Sequence, residues 1–432
     1  MALLIVQTVF AQTRIAVMTD IHVMGKGLVV HDGAAWQTAL SSERKMLDKS
    51  RDVFDRLISK FKSQRPDMLL VTGDLTKDGE LLSHRYVKAG LDKLKAVGVK
   101  VYIIPGNHDL GTSNAKIFDG TNTERAETLD EDGFRMMYRD YGYGEESVKD
   151  SVSLSYVCEP VAGLTLIGID SHNGWINEST LGWVCRQAEE AQGKGRQVIA
   201  MMHHLLFPHF NGVNLYVSGA TVRNYESVRN RLADAGIRIV LTGHFHTSDI
   251  AKDWNGDMSH EIYDINTGSA ISYPCDYRLL TLNSDRTELT IMTGHLDTLP
   301  DDATFARTAK NRLQTSMYDL AYKRLGSRFS FSEEEKRQLA DIAARAFVVH
   351  AEGNEGNKEH AQVVGLIRSE IKRLGSLDNL LIKLAVTNLT PTIESILTDT
   401  SNYDDPDRKN CTDDLSLTIP MLQINKELLL NE

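Results

Sequence analysis

The chain has 432 residues, with 48 Lys and Arg against 59 Asp and Glu, a formal charge of -11. Hydrophobic residues at 41% and charged residues at 25% match a soluble globular protein and exclude disordered, collagen-like and membrane-embedded classes. The acidic balance disfavours a general hold on nucleic acid or anionic lipid, and four scattered cysteines (Cys158, Cys185, Cys275, Cys411) provide neither a disulfide scaffold nor a C-x-x-C zinc spacing.

Residues 2–11, ALLIVQTVFA, form an apolar run with Val9 and Ala11 at the -3 and -1 positions of a cut before Gln12. Residues 1–12 therefore read as the remnant of an export signal, although a basic leader is lacking. The expectation is a periplasmic or secreted protein, with a cytoplasmic one as the alternative. No other run approaches the ~20 apolar residues of a membrane span.

From Arg14 to about residue 245, short β-branched runs alternate with helical stretches, the pattern of strands and crossover helices. Ile15 to Thr19 leads into Asp20, Met68 to Thr72 into Gly73-Asp74, and Val101 to Ile104 into Pro105-Gly106-Asn107. Val198 to Met202 leads into His203-His204, and Ile237 to Thr242 into Gly243-His244. Leu47, Phe54, Leu57, Ile58 and Phe61 recur at helical spacing, closed by Pro66. Further helices are predicted over 81–97, Ser179–Ala191 and Thr221–Ala235.

Strand-like runs between 152 and 170 and between 261 and 294 lack intervening helices and predict a second, partly antiparallel sheet. Two packed sheets need helices on their outer faces, so the expected fold is a four-layer α/β/β/α sandwich over residues 13–298. Residues 299–432 read as a mainly helical extension. Ser332 and Glu335 have capping-box spacing ahead of Leu339, Ile342, Ala346 and Phe347, and Val363, Ile367, Ile371 and Leu374 share a second helical face. Gly353–Asn357 reads as a loop, and Tyr403–Asp414 as an acidic segment before a short final strand and helix.

The chemistry lies at the strand ends: Asp20-x-His22, Gly73-Asp74, Gly106-Asn107-His108-Asp109, His203-His204 and Gly243-His244-x-His246. Taken singly, each is a common turn or surface pair. Side chains just past the carboxyl ends of neighbouring parallel strands, however, share one crevice. Carboxylate, amide and imidazole donors without thiolate suit Mn, Fe, Zn, Co or Ni, and in D-x-H or H-x-H on extended chain both side chains point to one side. The preceding glycines are expected to permit sharp turns. His31 and His209 are read as exposed loop residues that stand within reach of the pocket. His350 is read as a surface residue. Trp36, Tyr143 and Trp175 are read as local packing, with stacking on a substrate as the alternative.

The five blocks resemble the signature of the calcineurin-like metallophosphoesterases over about residues 14–295. The resemblance implies that Asp20, His22, Asp74 and His246 bind one divalent ion, and that Asp74 bridges to a second held by Asn107, His203 and His244. His203 is favoured over His204 in a block that lacks the family's prolines. It further implies attack on phosphorus by a metal-bridging hydroxide, with His108 serving the leaving group and Asp109 orienting His108. The implied substrate is a small phosphate ester, most simply a phosphodiester, with monoester phosphatase or nucleotidase as the alternative. An inactive scaffold that binds partners through its C-terminal helices is the reading from a different class, opposed by the complete set of ligand positions.

Overall fold

A computed structural model describes residues 10–41, 43–328, 331–353, 358, 360–377, 380–398 and 414–423. Its first strands are β1 (Thr13–Met18), β2 (Met68–Val71), β3 (Lys100–Ile103), β4 (Lys116–Asp119) and β5 (Asn122–Arg125). Next come β6 (Val148–Lys149), β7 (Tyr156–Val161), β8 (Leu164–Gly168), β9 (Gln197–Met201) and β10 (Ile239–Thr242). The last are β11 (Asp249–Trp254), β12 (Glu261–Asn266), β13 (Asp276–Leu282), β14 (Glu288–His295) and β15 (Ser416–Pro420).

One sheet has the order β15-β14-β13-β1-β2-β3, the other β11-β12-β10-β9-β8-β7-β6, and β4 and β5 form a separate hairpin. Each large sheet has a parallel part, β1 to β3 in one and β8, β9, β10 and β12 in the other. Antiparallel strands extend both. This division corrects the expected one: β13 and β14 join β1, whereas β7, β8 and β12 join β9 and β10. Alternation along a strand marks its faces but does not select its neighbour. Register with distant residues, such as Thr13 opposite Leu282, decides that.

The central strands β2, β8, β9 and β10 are buried at every residue, as expected for strands covered on both faces. One continuous core takes in both sheets with Phe54, Leu57 and Phe61 of the helix Ser50–Gln64 and Val87, Leu91 and Leu94 of Leu81–Lys95. Each such side chain contributes about 1.5–3 kcal/mol by leaving water. The helices Glu178–Gly193 and Tyr225–Asp234 pack on the second sheet, completing the α/β/β/α layering.

Four helices follow, Phe305–Arg328, Glu333–Glu352, Ala361–Gly375 and Leu380–Leu397. The capping box is present: the Glu335 N–H donates to Ser332 Oγ at 3.3 Å, and the Ser332 N–H donates to Glu335 Oε2 at 2.7 Å. Leu339, Ile342, Ala346, Ile367 and Leu374 form a core of their own. Phe347, Val348 and Ile396 instead pack against Phe210 and Phe245 of the sandwich, and β15 pairs with β14 at the sheet edge. The expected export segment up to residue 9, residues 354–357, most of the acidic stretch with Cys411, and the final helix lie outside the described residues. Cys158, Cys185 and Cys275 are buried free thiols. Among the described residues no helix is long and apolar enough to cross a membrane.

Candidate metal centre

The two parallel sheet centres end on one another. The Thr72 hydroxyl after β2 donates to Thr242 O of β10 at 3.4 Å, and the Gly243 N–H donates to His203 O at 2.9 Å. Strand ends from both sheets thus face a single crevice, and all five polar blocks meet there.

Asp20, His22, Asp74 and His246 form one group able to hold a metal ion, and Asp74, His203 and His244 form another. Asp74 belongs to both. His22 Nε2 lies 3.6 Å from Asp74 Oδ2 and 3.3 Å from His246 Nε2, and His246 Nε2 lies 3.1 Å from Asp20 Oδ1. On the other side His203 Nε2 is 3.3 Å from Asp74 Oδ2 and 3.1 Å from Asn107 Oδ1. The second histidine of the pair, His204, stacks against His244 with centroids 4.2 Å apart, so His203 is the one that meets Asp74. Asp20 Oδ1 and His244 Nε2 are buried without a hydrogen-bond partner in the protein. Orphaned buried donor atoms are costly. Here they belong to a carboxylate, amide and imidazole set that fits a borderline divalent cation.

Asp20 (φ 50°), His22 (φ 39°), Asp74 (φ 51°), His244 (φ 69°) and His246 (φ 71°) all occupy the left-handed region. The expected extended D-x-H and H-x-H geometry is therefore replaced by tight turns, each position costing about 1–3 kcal/mol. Hydrogen bonds hold the turns in place. Asp20 Oδ2 accepts from Thr19 Oγ1 at 2.7 Å and from the His244 N–H at 2.9 Å, and Ser269 Oγ donates to Asp20 O at 2.7 Å. Only Gly73 (φ 95°) needs glycine for its backbone angle. Gly106 and Gly243 are required for space. A methyl at Gly243 would fall 2.6 Å from Asp20 Oδ2, and one at Gly106 would fall 2.8 Å from Asp74 Cγ and closer still to its Oδ1.

Burial opposes charge throughout. It would raise the Asp74 carboxyl, but His203, His108 and His22 pull it well below the usual range. Burial lowers His22 and His244 well below an ordinary imidazole, and it lowers His204 to about 3 with help from His203. Against burial, Asp74 lifts His203 to about 9.

The His108 ring edges onto His22 with centroids 4.9 Å apart, and its side chain is 30% exposed, so it faces the mouth of the crevice. Its Nδ1 contacts Asp78 Oδ1 and Lys77 O, each at 2.8 Å. The orienting carboxylate is thus Asp78 rather than Asp109. Asp109 is fully buried and accepts from the N–H groups of Leu75, Thr76 and Gly106 and from Thr76 Oγ1, at 2.9–3.2 Å. It ties the loop after β2 to the loop after β3. Asp78 lies on that first loop, four residues past Asp74, with no sequence signal beyond its nearness to the Gly-Asp block.

Two other histidines depart from expectation. His209 is 1% exposed, with Nδ1 3.1 Å from Asp249 Oδ2 and Nε2 3.0 Å from Asp264 Oδ2. His350 is buried among Phe210, Phe245 and Phe347. Burying a charge demands a partner, and the partnering carboxylates lie too far along the chain for local reading to find them. His31 pairs with Arg51 at the surface. Trp36 and Tyr143 are core residues, and Trp175 is exposed.

The sequence model of the calcineurin-like phosphoesterase family matches residues 13–248. A protein of Arcobacter nitrofigilis described as a probable glycerophosphodiester phosphodiesterase is 27% identical over 42% of this chain and 57% of its own length. A probable cyclic nucleotide phosphodiesterase of Rhodococcus erythropolis is 25% identical over 54% of this chain and 65% of its own. The chain thus spans between half and two thirds of the curated relatives it matches. A solved dimetal phosphatase from Danio rerio aligns with TM-score 0.46 at 13% identity, over 66% of this chain and 96% of its own. The chain belongs to the calcineurin-like phosphoesterase family.

Proposed function

We propose that the chain is a dinuclear phosphodiesterase acting on a small substrate. The observation that carries the reading is the sharing of Asp74 between the two ligand groups, which lets one carboxylate serve two ions. Asp20, His22, Asp74 and His246 would hold one ion, and Asp74, Asn107, His203 and His244 the other. Such ions, when bound, supply Lewis acidity toward the phosphoryl oxygens and an activated water.

The protein's own groups have distinct tasks. Asp74 and Asp78 raise the His108 imidazole against the effect of burial, which favours an imidazolium able to donate a proton to the departing alkoxide. Asp109 fixes the turn that presents Asn107 and His108. The diester preference is supported by relatives whose names are those of phosphodiesterases. The test is metal quantification together with turnover of bis(p-nitrophenyl) phosphate against p-nitrophenyl phosphate in the presence of Mn, Zn, Fe, Co or Ni. Two metals per chain and faster diester cleavage are expected. A single metal removes the dinuclear reading, and a monoester preference removes the diester one.

A further inference from the structure

The segment linking the helices Ala34–Ser41 and Ser50–Gln64 is pinned beside the metal centre. The Met46 N–H donates to Ile271 O at 2.7 Å. Ile271 lies between Ser269, whose hydroxyl holds Asp20 O, and Ser272, whose hydroxyl is 3.4 Å from His246 Nδ1. From the C-terminal helices, Arg312 Nη1 donates to Lys45 O at 3.1 Å and to Asp48 Oδ1 at 3.0 Å. The position of Lys45 is therefore braced from both sides.

Its side chain has no matching acceptor. Lys45 is 9% exposed, and among the described residues its ammonium makes no hydrogen bond; its one ion-pair contact is Glu43 Oε2 at 4.0 Å. Lysine side chains are seldom covered to this degree without a close partner. Its charge is felt at His22, His108 and His246 together, each of which it lowers. With the Met46–Ile271 hydrogen bond holding its segment next to Ser272, which contacts His246, Lys45 lies on the His246 flank of the crevice. Arg44 adds a second cation on the same segment, with Glu43 as an acidic neighbour and Arg324 as a like-charged one.

We propose that Lys45 is a specificity residue whose ammonium binds a second anionic group, a carboxylate or a phosphate, carried by the diester beside its scissile phosphate. This deepens the phosphodiesterase reading and rests on it. A diester without a second anion would leave the ammonium with only the distant Glu43 carboxylate as a partner, whereas a dianionic one would meet it with a charge-assisted hydrogen bond.

The test compares the metal-loaded full chain on two matched substrates, p-nitrophenyl 2-carboxyethyl phosphate and p-nitrophenyl propyl phosphate. The wild-type protein is expected to favour the carboxylate-bearing ester in kcat/KM. Lys45→Met should cut that ratio by about tenfold or more, chiefly through KM, and Lys45→Arg should retain much of it. A 2-phosphonoethyl ester in the same series distinguishes phosphate from carboxylate as the preferred second group. Should Lys45→Met fail to fold, the ratio is read in Lys45→Gln. A ratio unchanged by removal of the charge, or a wild-type protein indifferent to the second anion while cleaving both esters, overturns the proposal. A wild-type protein that cleaves neither diester but does cleave p-nitrophenyl phosphate instead sinks the phosphodiesterase reading and the subsite with it.

Discussion

Gly106→Ala separates space from backbone freedom as the reason for a glycine at the metal centre. The φ of Gly106 is outside the left-handed region, so alanine is allowed there by its backbone. The added methyl, however, would sit 2.8 Å from Asp74 Cγ and nearer to Asp74 N and Oδ1, against a comfortable separation of about 3.5–4 Å. Relief needs a displacement on the order of 1 Å. Asp74 Oδ1 also accepts the His108 N–H at 2.8 Å, and the Gly106 N–H donates to Asp109 Oδ2 at 2.9 Å. The shared carboxylate and the turn bearing Asn107 therefore move together.

Overpacking of this kind costs about 1–3 kcal/mol of stability, and a displacement of about 1 Å costs on the order of a hundredfold in rate. Gly106→Ala should thus fold, lose metal, and turn over a phosphodiester about a hundredfold more slowly. Gly193→Ala is the control: nothing lies within 4 Å of its added methyl, and activity should not change. Metal quantification and kcat on bis(p-nitrophenyl) phosphate read both variants. Wild-type kcat and metal content in Gly106→Ala would refute the claim that this glycine sets the position of Asp74.

Asp74→Ala should abolish turnover and strip both ions, seen by metal analysis, because this residue belongs to both ligand groups; retention of two metals contradicts that assignment. Asp78→Asn should keep the metals and slow the chemical step by tenfold or more, within the about 10²–10⁴-fold range of general acid catalysis. The His108 proton is held in part by Asp78 and activity falls as pH rises through its loss, so the alkaline limb of kcat should move to lower pH in that variant; an unmoved limb argues against His108 as the acid. His209 is raised to about 10 by Asp249 and Asp264 against burial, so its stabilisation is full below the ordinary histidine value of about 6.5 and fades as pH climbs through about 10. His209→Phe should lower stability by about 3–5 kcal/mol near neutral pH, since it leaves buried carboxylates without their counter-charge. The gap from wild type should close toward pH 10 in urea melts, and a gap constant with pH would show that packing alone is at stake.

Why the convergence of these residues was legible and their conformation was not follows from the physics of parallel sheets. Convergence at strand ends is a topological consequence, so Asp20, Asp74, Asn107, His203 and His244 could be placed in one crevice once each ended a predicted strand. The backbone angles have no such signature. Asp and His tolerate the left-handed region better than most residues but do not demand it, and extended and turned versions of D-x-H look identical in sequence. The same holds for pairing across distance. The partners of His209 are 40 and 55 positions away, and the orienter of His108 sits on a different loop. Among the described residues nine non-glycines have positive φ, and five of them are Asp20, His22, Asp74, His244 and His246. Strain gathered at one place persists only where surrounding contacts over-determine it. Here those contacts are the Thr19, Ser269 and Gly243 neighbours of Asp20 and the Gly73 and Gly106 neighbours of Asp74. A turn that would relax in isolation is thereby held by its neighbours, so metal affinity should depend on residues that never touch the metal.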